Sequence, residues 1–200
     1  MPTGFKYIGE QITLLESQGR RGDFVMGFEE SYGYLIGTHV RDKDSVSTCL
    51  AICDMVAKNK AMGKTLVDAL NELYEKFGHY KNATQSFQFP GASGSAKMAA
   101  IMKELKHNAP TQIAGANVVS QIDYSKPTNM SILNSQNNEP QLLPQINVVE
   151  FNLEGNAKLI IRPSGTEPKI KAYSFVCGKD EEDSAEKLKK QNVCASQLFE

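Results

Sequence analysis

Apolar positions in the first third of the chain recur at helical spacing. In residues 5–18, "FKYIGEQITLLESQ", Tyr7, Ile8, Ile12 and Leu15 mark one face of a helix that Gly19 and Gly22 bring to an end. "DFVMGF" is a short apolar run bounded by acids and predicts a buried strand. The segment "EESYGYLIGTHVRDKDS" that follows reads as a glycine-punctuated, charge-dense loop. Val46, Cys49, Leu50, Cys53, Val56 and Ala57 then form a stripe of period 3.6, with Asp44 or Ser45 as its N-cap. A further helix follows Gly63, with Thr65 as a cap and Leu66, Ala69, Leu70, Leu73 and Phe77 inside.

The pattern changes after Gly78. From "HYKNATQSFQFPGASG" a polar–apolar alternation leads into a helix with Met98, Ile101, Met102 and Leu105 inside. "IAGANVVSQIDY" reads as a strand, and residues 125–147, rich in Asn, Gln, Pro and Ser, read as loop. "INVVEFNL", "AKLIIR" and "KIKAYSFV" are three successive strands. "KDEEDSAEKLKKQNVCASQLF" closes the chain as a helix whose acidic first turn and later lysines complement its dipole. Two units result, 1–78 and 79–200. The second predicts an α+β domain, an antiparallel sheet with helices on one face. The first offers helices but one convincing strand, which cannot form a sheet alone, so it looks like the latter part of a larger α/β domain.

Composition narrows the function classes. A formal net charge of −1 gives no electrostatic case for nucleic acid or a membrane surface as partner. No apolar run approaches the length that spans a bilayer, and "MPTGFKYIGEQ" lacks the pattern of a signal peptide. The 4 cysteines are too few and scattered for a disulfide scaffold; Cys49 and Cys53, with apolar helical neighbours, read as small core residues. No cluster of ligands for a metal is seen, and the expectation is a reduced, cytoplasmic protein.

The stretch "LIIRPSGTEPKIKAY", 159–173, interrupts strand-like sequence with the parts of a phosphate cradle. The planar fork of Arg162 can grip two phosphate oxygens, and Ser164 and Thr166 add hydroxyl donors. Gly165 would let the backbone turn its N–H groups toward an anion, while Pro163 and Pro168 limit the loop's freedom. Glu167 would repel phosphate unless it points away. By composition alone, an ordinary hairpin turn with incidental polar residues fits as well. "GASGS" at 91–95 could bind an anion at a helix N-terminus but is better read as the entry to a helix. His79 and His107, beside helix ends, read as surface residues.

"LIIRPSGTEPKIKAY" closely resembles the phosphate-binding loop in the last domain of the α-D-phosphohexomutase family, which includes phosphoglucomutase and phosphomannomutase. "GFEESYGYLIGTHVRDKDS" resembles that family's sugar-binding loop in its third domain, and "TGFKYIG" the Gly-Phe-Lys turn of the same domain. The three occur in the family's order and span residues 3–173. The resemblance implies three α/β domains plus a smaller α+β fourth, of which this chain would hold the end of the third and the fourth. It also implies a reaction. A phosphoserine in the first domain donates its phosphoryl group to a hexose phosphate, the bisphosphate turns over in the site, and the other phosphate returns to the serine. Glu29 and Ser31 match the groups that hydrogen-bond the sugar hydroxyls, and Arg162, Ser164, Gly165 and Thr166 those that grip the phosphate not being transferred. Lys6 matches a lysine near the reacting phosphate. His39 and Arg41 lie where the family places a histidine or arginine segment, at a longer spacing from Glu29 than in some members. The Tyr32-Gly33-Tyr34 run resembles the phosphoglucomutase-like branch more than the phosphomannomutase branch.

Two family segments are not in these residues, the phosphoserine loop and the Asp-x-Asp-x-Asp-Arg run that holds magnesium. "RDKDS", with a lysine between two aspartates, does not replace the latter. The expectation is therefore the C-terminal portion of a phosphohexomutase, an intramolecular phosphotransferase, with no catalytic residue and no metal ligand of its own. Mg2+, a hexose bisphosphate activator and the N-terminal domains would come from outside the chain. The alternative is a free-standing phosphosugar-binding or regulatory module.

Overall fold

A computed structural model describes residues 4–29, 32–127, 129–130, 141–142, 145–165 and 167–199. The chain divides into two compact units, Met1–Glu72 and Leu73–Glu200.

In the first unit, α1 (Phe5–Ser17) turns Phe5, Gly9 and Ile12 inward. Its apolar face meets a hairpin of β1 (Met26–Glu29) and β2 (Gly33–Ile36), antiparallel from Met26↔Ile36 to Glu29↔Gly33. Phe5, Ile12 and Leu35 form the buried cluster, with Ile8 and Phe24 packed against it. β2 lies in the segment expected to be loop. Its two outward positions and its glycine hide the alternation, and pairing with β1 supplies the backbone partners that propensity does not. The strand thought to stand alone therefore has a neighbour.

α2 (Ser45–Ala61) begins where predicted: the Asp44 carboxylate accepts from the amides of Val46 and Ser47 at 3.0 and 3.3 Å. α3 (Leu66–Phe77) starts with a reciprocal cap, the Asp68 amide donating to the Thr65 hydroxyl and the Thr65 amide to the Asp68 carboxylate. The expected inner faces of these helices are not covered. α2 buries none of its residues, Val46 and Leu50 are 78% and 72% exposed, and Leu70, Leu73 and Phe77 of α3 are exposed too. Cys49 and Cys53, read as core residues, are exposed. The helical spacing is real, but a two-stranded ribbon is too narrow to cover the stripe it produces.

The second unit is built on a sheet of order β3-β10-β9-β8-β5-β4, antiparallel throughout. In chain order its elements are β3 (His79–Gln88), α4 (Gly94–His107), β4 (Gln112–Ile113), β5 (Ala116–Asp123), β6 (Asn129–Met130), β7 (Gln141–Leu142), β8 (Val149–Leu153), β9 (Ala157–Pro163), β10 (Lys169–Gly178) and α5 (Glu181–Gln197). Strand alternation sends Val149, Phe151, Leu159, Ile161, Ile170 and Ala172 to one face, where they meet Met102 and Leu105 of α4 and Ala195 of α5. Each large side chain so buried contributes about 1.5–3 kcal/mol. The helices cover that face, which is the predicted α+β arrangement.

Three local readings change. The single strand expected over 113–124 is a hairpin, β4 and β5 being joined through Ala114 and Gly115 at φ 53° and 83°. β6 and β7 pair within the segment read as loop; residues 131–140 lie outside the described ones. His79 is half-buried and not simply a surface residue: it stacks on Tyr74 with centroids 4.0 Å apart, and its Nδ1 is buried. The "GASGS" stretch is the entry to α4. Gly94 is required there, because a Cβ would stand 1.8 Å from the Phe89 carbonyl oxygen.

Candidate functional site

The sheet face opposite the helices carries the basic residues of β9 and β10. Leu159 and Ile161 are fully buried on the helix side, so alternation sends Lys158, Ile160 and Arg162 to the other face. On β10 the same rule sends Lys169, Lys171 and Tyr173 there. The register makes Arg162 and Lys171 direct cross-strand partners. Like charges in that position repel, and neither side chain has an ion-pair or hydrogen-bond partner among the described residues.

The loop between these strands is held by its own hydrogen bonds. The Ser164 amide donates to the Lys169 carbonyl at 2.8 Å, the Lys169 amide to the Glu167 carbonyl at 2.7 Å, and the Phe89 amide to the Pro168 carbonyl at 2.8 Å. The Ser164 hydroxyl accepts from the Glu167 amide at 3.3 Å. Glu167 pairs with Lys169. That hydrogen bond, then the charges of Lys169 and Lys171, hold its carboxyl below the usual carboxylate range. The acid that sequence reading found awkward is thus matched inside the loop. Gly165 needs no left-handed backbone, and a Cβ there would meet nothing within 4 Å. What glycine supplies at this point is an open outer surface. Thr166 lies outside the described residues.

In the first unit, Glu29 closes β1 with its side chain largely buried, and Lys43 Nζ stands 3.5 Å from its carboxylate. Lys43 reaches it by passing over Gly33, the register partner of Glu29; a Cβ at Gly33 would lie 2.0 Å from Lys43 Cδ. Lys43 also pairs with Asp42 at 2.9 Å and lies over the Phe5 ring. Hydrogen bonding to Asp42 is the main cause that raises the pKa of its ammonium. His39 Nε2 is 2.8 Å from Asp44 Oδ2. Bonds from Ser47 first, then His39 and the Val46 amide, hold the Asp44 carboxyl well below its usual range. Arg41 is bound to Glu16 and donates to the Thr38 carbonyl at 2.8 Å. Lys6 is exposed on the first turn of α1, its ammonium 4.9 Å from the centroid of the Tyr7 ring. Ser31 lies outside the described residues.

Of the predicted residues, then, Arg162, Ser164 and Gly165 share one hairpin end. Glu29 is partnered by a lysine that was not predicted, and His39 and Arg41 are engaged by Asp44 and Glu16. Sequence reasoning missed Lys43, which was weighed only as an interruption in a metal motif, and Lys171. Counting residues outward from the hairpin would have placed Lys171 beside Arg162.

Residues 1–77 match the family model for phosphoglucomutase/phosphomannomutase, alpha/beta/alpha domain III. Over 183 residues the chain is 38% identical to a probable phosphomannomutase of Haemophilus influenzae, an alignment that covers 91% of this chain and 32% of the relative. Residues 1–77 thus match the third domain of that family, and the alignment carries the likeness to phosphohexomutases through most of the chain. A phosphoglucomutase of Staphylococcus haemolyticus is 38% identical over 171 residues, 85% of this chain and 30% of the relative. The crystal structure of the exocytosis-sensitive phosphoprotein pp63/parafusin, a phosphoglucomutase from Paramecium, in its open form, aligns with all of this chain and 33% of its own. Its TM-score of 0.69 at 19% identity shows the shared fold. The chain spans about one third of the length of the relatives it matches. Among the described residues, no His, Cys, Asp and Glu side chains converge in a group of three or more that could hold a metal ion, and no helix is long and apolar enough to cross a membrane. The magnesium that the family implies therefore finds no fitting donor set among these residues.

Proposed function

We propose that this chain supplies the sugar- and phosphate-holding loops of a phosphohexomutase, of phosphoglucomutase type, that interconverts hexose 1-phosphate and 6-phosphate. The observation that carries the reading is the register pairing of Arg162 with Lys171 beside a pre-formed hairpin end. Two cations placed side by side, with the acid of the loop, Glu167, already paired to Lys169, call for an anion, and a phosphate monoester fits the guanidinium fork. Arg162, Lys171 and Ser164 hold the phosphate that is not being transferred. Glu29 accepts hydrogen bonds from adjacent sugar hydroxyls, with Lys43 keeping the carboxylate oriented, and Ser31 and Thr166 add hydroxyls. Lys6 stands toward the transferring phosphoryl group; His39 and Arg41 act by supporting the loop that carries Lys43.

The phosphoryl group moves from a phosphoserine to the free hydroxyl of the bound hexose phosphate, and the bisphosphate reorients before returning its other phosphoryl group to the serine. Neither that serine nor the magnesium site belongs to this chain. They come with polypeptide corresponding to the N-terminal domains of the family, to which the uncovered apolar stripes of α2 and α3 are suited. The isolated chain is then inactive, and its hexose-phosphate substrates make a cytoplasmic location the natural one.

The experiment is an assay of the isolated chain with glucose 1-phosphate, magnesium and hexose bisphosphate, alone and with the remaining domains added. No turnover alone, and turnover on addition that Arg162→Ala removes, supports the proposal. Turnover by the isolated chain that Arg162→Ala abolishes would sink it. Tight hexose-phosphate binding by the isolated chain, without activity in any combination, would favour a free-standing binding module.

A further inference from the structure

Glu150 is the buried acid of the basic sheet face, with only 6% of its surface exposed. Its register partner on β9 is Ile160. The residues two positions to either side of Ile160 are Lys158 and Arg162, so the carboxylate sits diagonally between two cations on the neighbouring strand. Diagonal cross-strand neighbours lie about 7–8 Å apart at Cα, within reach of long side chains. The carboxylate is committed to one of them: Oε1 is 2.6 Å from Lys158 Nζ. Its other oxygen, Oε2, accepts from the Tyr124 hydroxyl at 2.9 Å. Burial, then the charge of Glu150, hold the Tyr124 phenol above its usual pKa, so it stays a donor.

A buried carboxylate cannot remain unpaired without a large desolvation penalty. Freed from Lys158, it would turn to the other cation diagonal to it on β9, Arg162, already next to Lys171 and gaining from a counter-charge. We infer that Lys158 and Tyr124 are positioning residues that tether Glu150 away from Arg162 and so keep the guanidinium open to phosphate. This rests on the proposed phosphate role of Arg162.

The test uses the full 200-residue chain titrated with inorganic phosphate at fixed ionic strength, followed by the NMR signal of the Arg162 Nε–H. Arg162→Ala is read by amide shifts of the 164–169 loop. If saturable binding survives Arg162→Ala, the phosphate role itself fails. If that variant loses binding, Lys158→Met is expected to bind about three- to tenfold more weakly. The double variant Lys158→Met/Glu150→Gln should return to within about twofold of the parent, and Lys158→Arg should match it, because a second guanidinium can hold the carboxylate. Phosphate affinity unchanged in Lys158→Met, or not recovered in the double variant, overturns the inference. Should Lys158→Met not fold, Tyr124→Phe removes the other tether: about twofold weaker binding, relieved by Glu150→Gln, upholds it, and no change overturns it.

Discussion

Replacing Arg162 by Met removes a charge while keeping an unbranched apolar stem. Direct cross-strand partners bring Cβ atoms to about 5 Å, and the charged ends of Arg162 and Lys171 can splay to about 6 Å. Two unit charges at that separation repel by about 0.7 kcal/mol in water, and by up to about 3 kcal/mol at an effective dielectric constant of 20. Salt screens part of this, so relief of about 0.5–1 kcal/mol is expected at low ionic strength. The variant should therefore be more stable than the parent, an advantage that fades in about 1 M salt. Phosphate binding should move the other way. Losing even one charge-assisted hydrogen bond costs about 1.5–3 kcal/mol, a tenfold to hundredfold loss of affinity. Urea denaturation with and without phosphate reads both effects together. At ten times the parent's dissociation constant, phosphate should stabilise the parent by about 1.4 kcal/mol and the variant by no more than about 0.4 kcal/mol. Destabilisation of Arg162→Met by more than about 1 kcal/mol in low salt, at an unchanged denaturant slope, would refute the reasoning, because the guanidinium would then have a partner within the fold.

Gly33→Ala places a methyl 2.0 Å from Lys43 Cδ; Lys43 should withdraw from Glu29, lowering turnover of the assembled enzyme by about tenfold or more with little change in melting temperature. Asp44→Ala should lower the melting temperature of the chain near neutral pH by removing the α2 cap. Because the folded-state pKa of Asp44 is depressed, its stabilisation is fully present above the usual 3.8 and is lost as pH falls below it, so melts of parent and variant should converge below pH 3.8. Cys49 and Cys53 should react with a thiol reagent in the native chain well before the half-buried Cys177 and Cys194; uniformly slow labelling would contradict the exposure of α2.

Legibility in the sequence followed how local the determining physics is. α2 was readable because Asp44 and a period of 3.6 lie within a few residues of one another, and the alternation in "AKLIIR" and "KIKAYSF" fixed which residues of β9 and β10 face together. β2 was not readable, because its four residues become a strand only through pairing with β1. The fate of Cys49 and Cys53 was not readable either: periodicity says that a helix face is apolar, not that anything covers it. In the phosphate loop, residue types named Arg162 and Ser164, but the weight of Lys171 comes from register, a non-local property. Lys43 was hidden for the same reason, since its path to Glu29 depends on a glycine ten residues earlier in the chain.

The charges of the basic face acquire a logic from that register. Lys158, Arg162, Lys169 and Lys171 are its cations, and Glu150 and Glu167 the acids beside them. Each acid is taken by a lysine, Glu150 by Lys158 and Glu167 by Lys169. The two positive charges left over are Arg162 and Lys171, adjacent across one strand pair. A phosphate monoester carries about −1.5 to −2 near neutral pH, so the surplus equals what such a group would neutralise. The division of labour among the cations follows their chemistry as well. Lysine serves as a point charge where a single carboxylate oxygen must be matched, and the arginine, with a weakly hydrated fork that can hold two oxygens at once, is the one left without a fixed partner. A substitution that merely conserves net charge on this face, such as exchanging Arg162 and Lys158, would keep the surplus but put the fork against Glu150 and a single-point ammonium at the loop. The pattern therefore specifies where each kind of cation stands, and the total charge alone would not.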